Sequence, residues 1–248
     1  LGAGLRPGDV ALSLGTSGTV YAISDHPTAD PTGCVGGFAD ATGRYLPLAC
    51  TLNATKVTDT FARLLSLDRD AFEAAALGAP AGARGAVLVP YLDGERTPNR
   101  PDATGVLSGL RSDANPGDIA RAAYEGVVCG LLEALDALAG AGVDTSGRLI
   151  LVGGGARSRA YRRIVADLSG RAVTVLGDDE LVARGACVQA AAVLHQRSPD
   201  EVADAWSRSR GAGANDSDSD DVTLPDLRVD AAAVRAAHRF ARDALEPR

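Results

Sequence analysis

Two glycine turns, far apart in the chain, carry residue types that could hold a phosphorylated ligand. The first is Gly15-Thr16-Ser17-Gly18, inside "LSLGTSGTV" (12–20). The second is Gly153-Gly154-Gly155-Ala156-Arg157-Ser158, which follows the apolar run "RLILV". Glycine lets a phosphate approach the main chain, and amides that open a helix favour negative charge. Thr16, Ser17 and Ser158 add hydroxyl donors for phosphate oxygens. Taken singly, each turn also has a plain reading as a β-turn, the first in a tight hairpin.

Other candidates carry less. The second turn stands between a strand and a helix, as a dinucleotide fingerprint does, but it does not match GxGxxG or GxGxxA, and only Asp178 and Asp179 come near the acidic position such a site needs. The loop "PYLDGERTPNRPDATGVLSGL" (90–110) holds Asp93, Glu95, Arg96, Arg100 and Asp102 among turn-formers, and suits a functional loop or a solvated one equally. Glu125 lies among Tyr124, Val127 and Val128 and reads as a paired structural carboxylate. Arg157, Arg159, Arg162 and Arg163 could offset phosphate charge, but a solvated surface explains them as well. His26, His195 and His238 have no partners at catalytic spacing and read as structural.

The elements around these residues follow from pattern. Val10 to Leu14 and Thr19 to Ser24 are expected to form the hairpin, with Arg44 to Leu48 as a third strand. In 51–66, Val57, Phe61, Leu64 and Leu65 share a helical face, and a second helix is expected over 69–77. "GAVLVPYL" reads as a buried strand. Asn115 and Pro116 mark the start of the strongest helix, whose apolar face runs Ile119, Ala123, Val127, Leu131, Leu135 and Leu138 to a stop at Gly140. A strand into the second turn, a helix over 158–169, a strand "AVTVL" and a helix from Asp179 to about His195 complete an α/β order. The acidic stretch 211–221 has little to bury and reads as a loop, and a last amphipathic helix is expected from Ala231 to Leu245.

Composition sets limits. The 248 residues suffice for one large domain or two modest ones, and the net charge of -7 argues against wholesale binding to nucleic acid or anionic membrane. No apolar run reaches the roughly 20 residues that span a bilayer. Cys34, Cys50, Cys129 and Cys187 show no metal-ligand spacing and are expected to be reduced, buried thiols of a cytoplasmic protein. The chain has no methionine and opens on Leu1, so an upstream segment is expected.

These stretches together resemble the FGGY carbohydrate kinases, and within them the branch that acts on D-xylulose. "GVLSGLRSDANPGDIARAAYEG" (105–126) is similar to the family signature at Gly105, Leu107, Gly109, Leu110, Asp118, Ile119, Ala122, Glu125 and Gly126. "PYLDGERTP" resembles the loop that precedes it, and "LSLGTSGTV", "VGGGARSRAYRRIVAD" and "ELVARGACVQAA" match in the family's order, so the likeness covers about residues 1–195.

The resemblance implies the ribonuclease H-like, actin-like ATPase fold, a mixed sheet flanked by helices. It implies a C-terminal nucleotide-binding domain with its core in 1–195 and a tail in 196–248, ATP or ADP with Mg²⁺ as cofactors, and a sugar as substrate. Gly15, Thr16, Ser17 and Gly18 then hold the β and γ phosphates, Gly153, Gly154, Gly155 and Ser158 lie against the adenosine, and Asn53 borders the cleft. The family's first phosphate loop, most sugar contacts and the aspartate base belong to an N-terminal domain that this chain lacks, so no catalytic or metal-binding residue is assigned here. An uncovered interdomain face would favour a homodimer. Another sugar or polyol kinase of the family (gluconate, ribulose, glycerol), a non-catalytic nucleotide-binding module and a dinucleotide oxidoreductase are the alternatives.

Overall fold

The computed structural model describes residues 1–177, 180–211 and 220–244, with 208–211 as backbone alone. Val10–Leu14 (β1) turns through Gly15, Thr16 and Ser17 into Gly18–Ala22 (β2), in a register that pairs Leu14 with Gly18. Leu48–Thr51 (β3) follows, then the helices Thr55–Leu64 (α1) and Arg69–Gly78 (α2) and the small hairpin Val87–Val89 (β4) and Val106–Ser108 (β5). Pro116–Gly140 (α3) leads to Leu149–Val152 (β6), Arg159–Ser169 (α4), Val173–Val175 (β7), Leu181–His195 (α5), Pro199–Gly211 (α6), Asp221–Thr223 (β8) and Ala231–Asp243 (α7).

The main sheet has the order β3-β2-β1-β6-β7-β8, and β1, β6 and β7 run parallel at its centre with antiparallel strands on both sides. Alternation sets its faces: Val10, Leu12, Leu14, Val20, Ala22, Leu149, Leu151 and Val173 all enter one core. Against it packs α3, which is buried nearly all round and not only along the expected stripe. Its start is fixed as the sequence suggests. Asn115 and Asp118 form a reciprocal capping box and Pro116 takes the first helical position. Gly126 is required by packing, since a Cβ there would lie 2.3 Å from the Leu88 carbonyl oxygen of β4.

Several expectations are corrected. The third strand begins where Arg44–Leu48 was expected to end, because Tyr45 makes only isolated bridges, to Ser24 and Ala39. Leu64, assigned to the buried face of the first helix, is 62% exposed, and Ala62 takes its place. Of the four thiols expected to be buried, only Cys129 is; Cys187 is exposed and Cys34 and Cys50 are half-buried. The helix expected from Asp179 starts at Leu181, and Asp178, Asp179, most of the acidic stretch and Leu245 lie outside the described residues. No described helix is long and apolar enough to cross a membrane.

Candidate functional site

The two glycine turns meet. Strands β1 and β6 are adjacent and parallel, with Ser13 opposite Val152, so both turns leave the sheet at the same edge, the carboxyl ends of its central strands. That edge is where open α/β sheets place their ligands. Gly153 has φ +86°, and a Cβ on it would lie 2.9 Å from the Leu14 carbonyl oxygen. A Cβ on Gly155 would lie 2.6 Å from Leu14 Cβ and 2.9 Å from Thr55 Cγ2. These two glycines therefore let the second turn close on the end of β1. Gly154 is different: an added Cβ would meet nothing within 4 Å, so its outer side is open.

Thr55 joins both turns to α1. Its amide and its hydroxyl both donate to the Gly15 carbonyl, at 3.0 and 2.8 Å, and the Ala54 amide donates to Thr16 at 3.2 Å. The first turn is thus held by its carbonyls, the Ser17 carbonyl taking the Gly15 amide at 3.0 Å, which leaves the donors of Thr16 and Ser17 unspent. Among the described residues neither the amides nor the hydroxyls of Thr16 and Ser17 are hydrogen-bonded, and both residues are exposed. The Gly154 and Gly155 amides open a 3-10 turn and have no partner within it. Unpaired donors from two turns at one sheet edge, exposed at Thr16, Ser17 and Gly154 and buried at Gly155, form an acceptor-binding cradle that suits phosphate oxygens. Gly18 serves packing, since a Cβ there would lie 2.6 Å from Thr51 Oγ1 and 2.7 Å from Leu131 Cδ2.

Asn53 is buried at 2% exposure and faces the 93–102 loop: its Nδ2 donates to the Gly94 carbonyl at 2.7 Å and to Glu95 Oε2 at 3.0 Å. Its Oδ1 has no partner among the described residues. Glu95 also accepts from the Leu52 amide at 2.6 Å, so the loop is latched to the segment that leads into α1. Ser158 caps α4 by accepting from the Tyr161 amide at 3.3 Å and gives its proton to Glu73 Oε2 on α2. Its hydroxyl is therefore not a spare phosphate donor, which corrects one of the two roles expected of it. Beneath this contact lies Tyr124, with Ser158, Glu73, Asp59 and Arg69 around its hydroxyl. Burial above all pushes that phenol up to about 12.

Of the arginines near the second turn, Arg162 donates to the Ala156 carbonyl and pairs with Asp221, and Arg163 pairs with Asp167 at 3.0 Å. Arg162 thus braces the turn, while Arg163 ties α4 to Asp226. Glu125 is a paired structural carboxylate, 2.6 Å from Arg121 Nε. No group of three or more His, Cys, Asp or Glu among the described residues could hold a metal. A groove of about 850 Å³, lined by Tyr21, Ile23, Leu181 and Gly185 among others, includes Gly153 but none of Gly15, Thr16, Ser17, Asn53 or Ser158, so it is not the cradle. Glu73 and Thr55 carry no sequence signal of their own; Thr55 could be found only as the first residue of α1.

The family model for the C-terminal domain of the FGGY family of carbohydrate kinases matches residues 10–194. A curated xylulose kinase of Streptomyces rubiginosus is 49% identical over 227 residues, which are 92% of this chain and 46% of that protein. The crystal structure of xylulose kinase from Bifidobacterium adolescentis superposes with a TM-score of 0.79 at 40% identity, over 97% of this chain and 45% of that one. Plasmodium falciparum glycerol kinase with ADP gives 0.80 at 17% identity, over 100% of this chain and 49% of that one, a likeness of fold. The chain spans about half the length of the curated relatives it matches.

Proposed function

The chain belongs to the FGGY family of carbohydrate kinases, of which it matches the C-terminal domain, and from that premise we propose that it is the nucleotide-binding half of an ATP-dependent xylulose kinase. The reaction is transfer of the γ-phosphoryl group of ATP to D-xylulose, giving D-xylulose 5-phosphate and ADP. One observation carries the assignment of the nucleotide to this half: the unspent donors of Thr16 and Ser17 and of Gly154 and Gly155 share one sheet edge, which Thr55 holds together.

Phosphoryl transfer asks a protein mainly for positioning and for charge stabilisation on the transferred group. On this reading the Thr16 and Ser17 amides and hydroxyls take the terminal phosphates, and the Gly153–Gly155 turn and Ser158 lie against the adenosine. Asn53 acts from behind, by fixing the start of α1. The fit rests on donor chemistry and on the open side of Gly154. Magnesium accompanies the nucleotide, and the described residues supply no cluster of His, Cys, Asp or Glu for it. The sugar site and the general base are assigned to the other half of a two-domain protein. Residues 1–195 are assigned to the domain core and 196–248 to a tail that returns to it through β8 and α7.

Calorimetric titration with ADP tests the nucleotide assignment. The expected result is saturable binding by this chain that is lost in Gly154→Val, whose side chain would enter the open side of the turn. Steady ADP production from this chain alone with D-xylulose would refute the division of labour, because without the base and the sugar site no turnover is expected.

A further inference from the structure

Glu73 and Ser158 come from different elements, 85 positions apart, and are joined by a side-chain hydrogen bond at the rim of the second glycine turn. Ser158 is spent on both sides. Its oxygen accepts from the Tyr161 amide and its proton goes to Glu73 Oε2. Glu73 Oε1 has no hydrogen bond among the described residues, and the side chain is half-buried. What this rim offers a ligand is therefore a carboxylate oxygen, an acceptor that repels phosphate and asks for a hydroxyl or an amine.

The opposite holds across the turn. There the Thr16 and Ser17 amides and hydroxyls are unspent and exposed, a donor set that asks for anionic oxygens. Between the two lie Gly155, packed on Leu14 and Thr55, and Gly154 with its open side. Among the described residues no ion pair reaches Glu73: Arg69, beside it on α2, holds Asp59 in a two-pronged pair at 2.9 Å. The cradle is polarised, with donors at one end and a carboxylate at the other.

We propose that Glu73 determines nucleotide specificity by accepting a hydrogen bond from a ribose hydroxyl through Oε1, with Ser158 holding the carboxylate in place. The inference rests on the nucleotide assignment above and adds the ligand's direction. The phosphates lie at Thr16 and Ser17, and the ribose diol lies toward α2. In a ribonucleotide the diol is the donor pair nearest the phosphates. A charged acceptor on a hydroxyl discriminates against the analogue that lacks it by roughly tenfold or more.

The test is a ligand-observed NMR titration of this chain with ATP, 2′-deoxyATP, 3′-deoxyATP and ITP, repeated on Glu73→Ala and Glu73→Gln. Wild type is expected to bind ATP roughly tenfold more tightly than one of the two deoxy analogues. Glu73→Ala is expected to bring that ratio to about one, and Glu73→Gln to lower it in part. The Gln variant keeps an acceptor for Ser158, so it reads the effect even where the Ala variant fails to fold. Equal affinity of wild type for ATP and both deoxy analogues overturns the proposal and leaves the nucleotide assignment standing. So does discrimination that follows the 6-amino group, seen as weakened ITP alone, or an unchanged ratio in both variants. Absence of binding by all four nucleotides overturns both.

Discussion

Asn53 and Glu95 are hydrogen-bonded across 42 positions, Nδ2 to Oε2 at 3.0 Å, with both residues buried at 2% and 3% exposure. The same carboxylate takes the Leu52 amide through Oε1, at 2.6 Å, and the Arg96 amide, at 2.7 Å. A loop rich in charge is thereby turned into a fixed buttress for the step from β3 to α1. Since Ala54 and Thr55 hold the carbonyls of Thr16 and Gly15, the geometry of the first turn depends on this buttress without touching it.

Replacing Glu95 should show that dependence. Glu95→Ala takes the acceptor from the Leu52 and Arg96 amides and leaves buried Asn53 Nδ2 with the Gly94 carbonyl alone. It is expected to cost about 2–4 kcal/mol in urea unfolding, and Glu95→Gln less because one oxygen remains. If the buttress sets the turn, ADP affinity falls in both variants while they remain folded. Loss of stability at unchanged affinity would separate the loop from the site.

The two inner glycines of the second turn should behave oppositely. Gly155→Ala drives a methyl into Leu14 and Thr55, so it is expected to destabilise by about 1–3 kcal/mol, as overpacking does. Gly154→Ala adds a methyl in open space and is expected to leave stability within about 0.5 kcal/mol of wild type, while larger side chains at 154 block the ligand. Thermal melts and ADP titrations on the pair resolve the two effects. A stable Gly155→Ala would mean that the turn does not close on β1 as described.

Much of this site is legible in the sequence because local rules specify it. The glycine turns, the Asn115-Pro116 start of α3 and the strand-helix order are short-range patterns, and the structure places them as expected. What was not legible is long-range. No pattern shows that Ser158 hands its proton to Glu73, and the expectation that Ser158 donates to phosphate was overturned by that partner alone. Strands β5 and β8 have three residues each, too few for alternation to register, and form only as antiparallel partners of the equally short β4 and β7. Leu64 and Cys187 misled for one reason: type gives a preference for burial, but which face of a helix finds a partner is decided by the fold.

Acid stability should reveal Asp9. Burial pushes its carboxyl up, but the Arg148 side chain and the Arg148 and Arg6 amides outweigh this and hold it below its ordinary 3.8. With the folded value lower than the unfolded one, the stabilisation is fully present above 3.8 and is lost as the pH falls through the lower folded value. Asp9→Asn is expected to be less stable than wild type at neutral pH, with the gap closing on acidification. A gap that is independent of pH down to about 2 would show that Asp9 does not titrate as a bound carboxylate.

Glu125 has the opposite sign and a different lesson. Its burial, foremost, pushes the carboxyl up, against the pull of Arg121 at 2.6 Å and of the Gly82 amide at 2.9 Å. A folded value above the unfolded one means that its contribution is greatest below the ordinary 4.5 and shrinks as the pH rises through the higher folded value. At neutral pH the pair must then be held together by Arg121. Glu125→Ala leaves that guanidinium buried and alone, and is expected to cost about 3–5 kcal/mol. Removing both charges, in Arg121→Met with Glu125→Gln, keeps an acceptor for the Gly82 amide and should cost far less than Glu125→Ala, because neither ion then needs to leave water. If ADP binding survives the double change, Glu125 is a fold residue despite its place in the signature stretch; if binding is lost while the protein stays folded, the buried pair also sets how α3 supports the ligand.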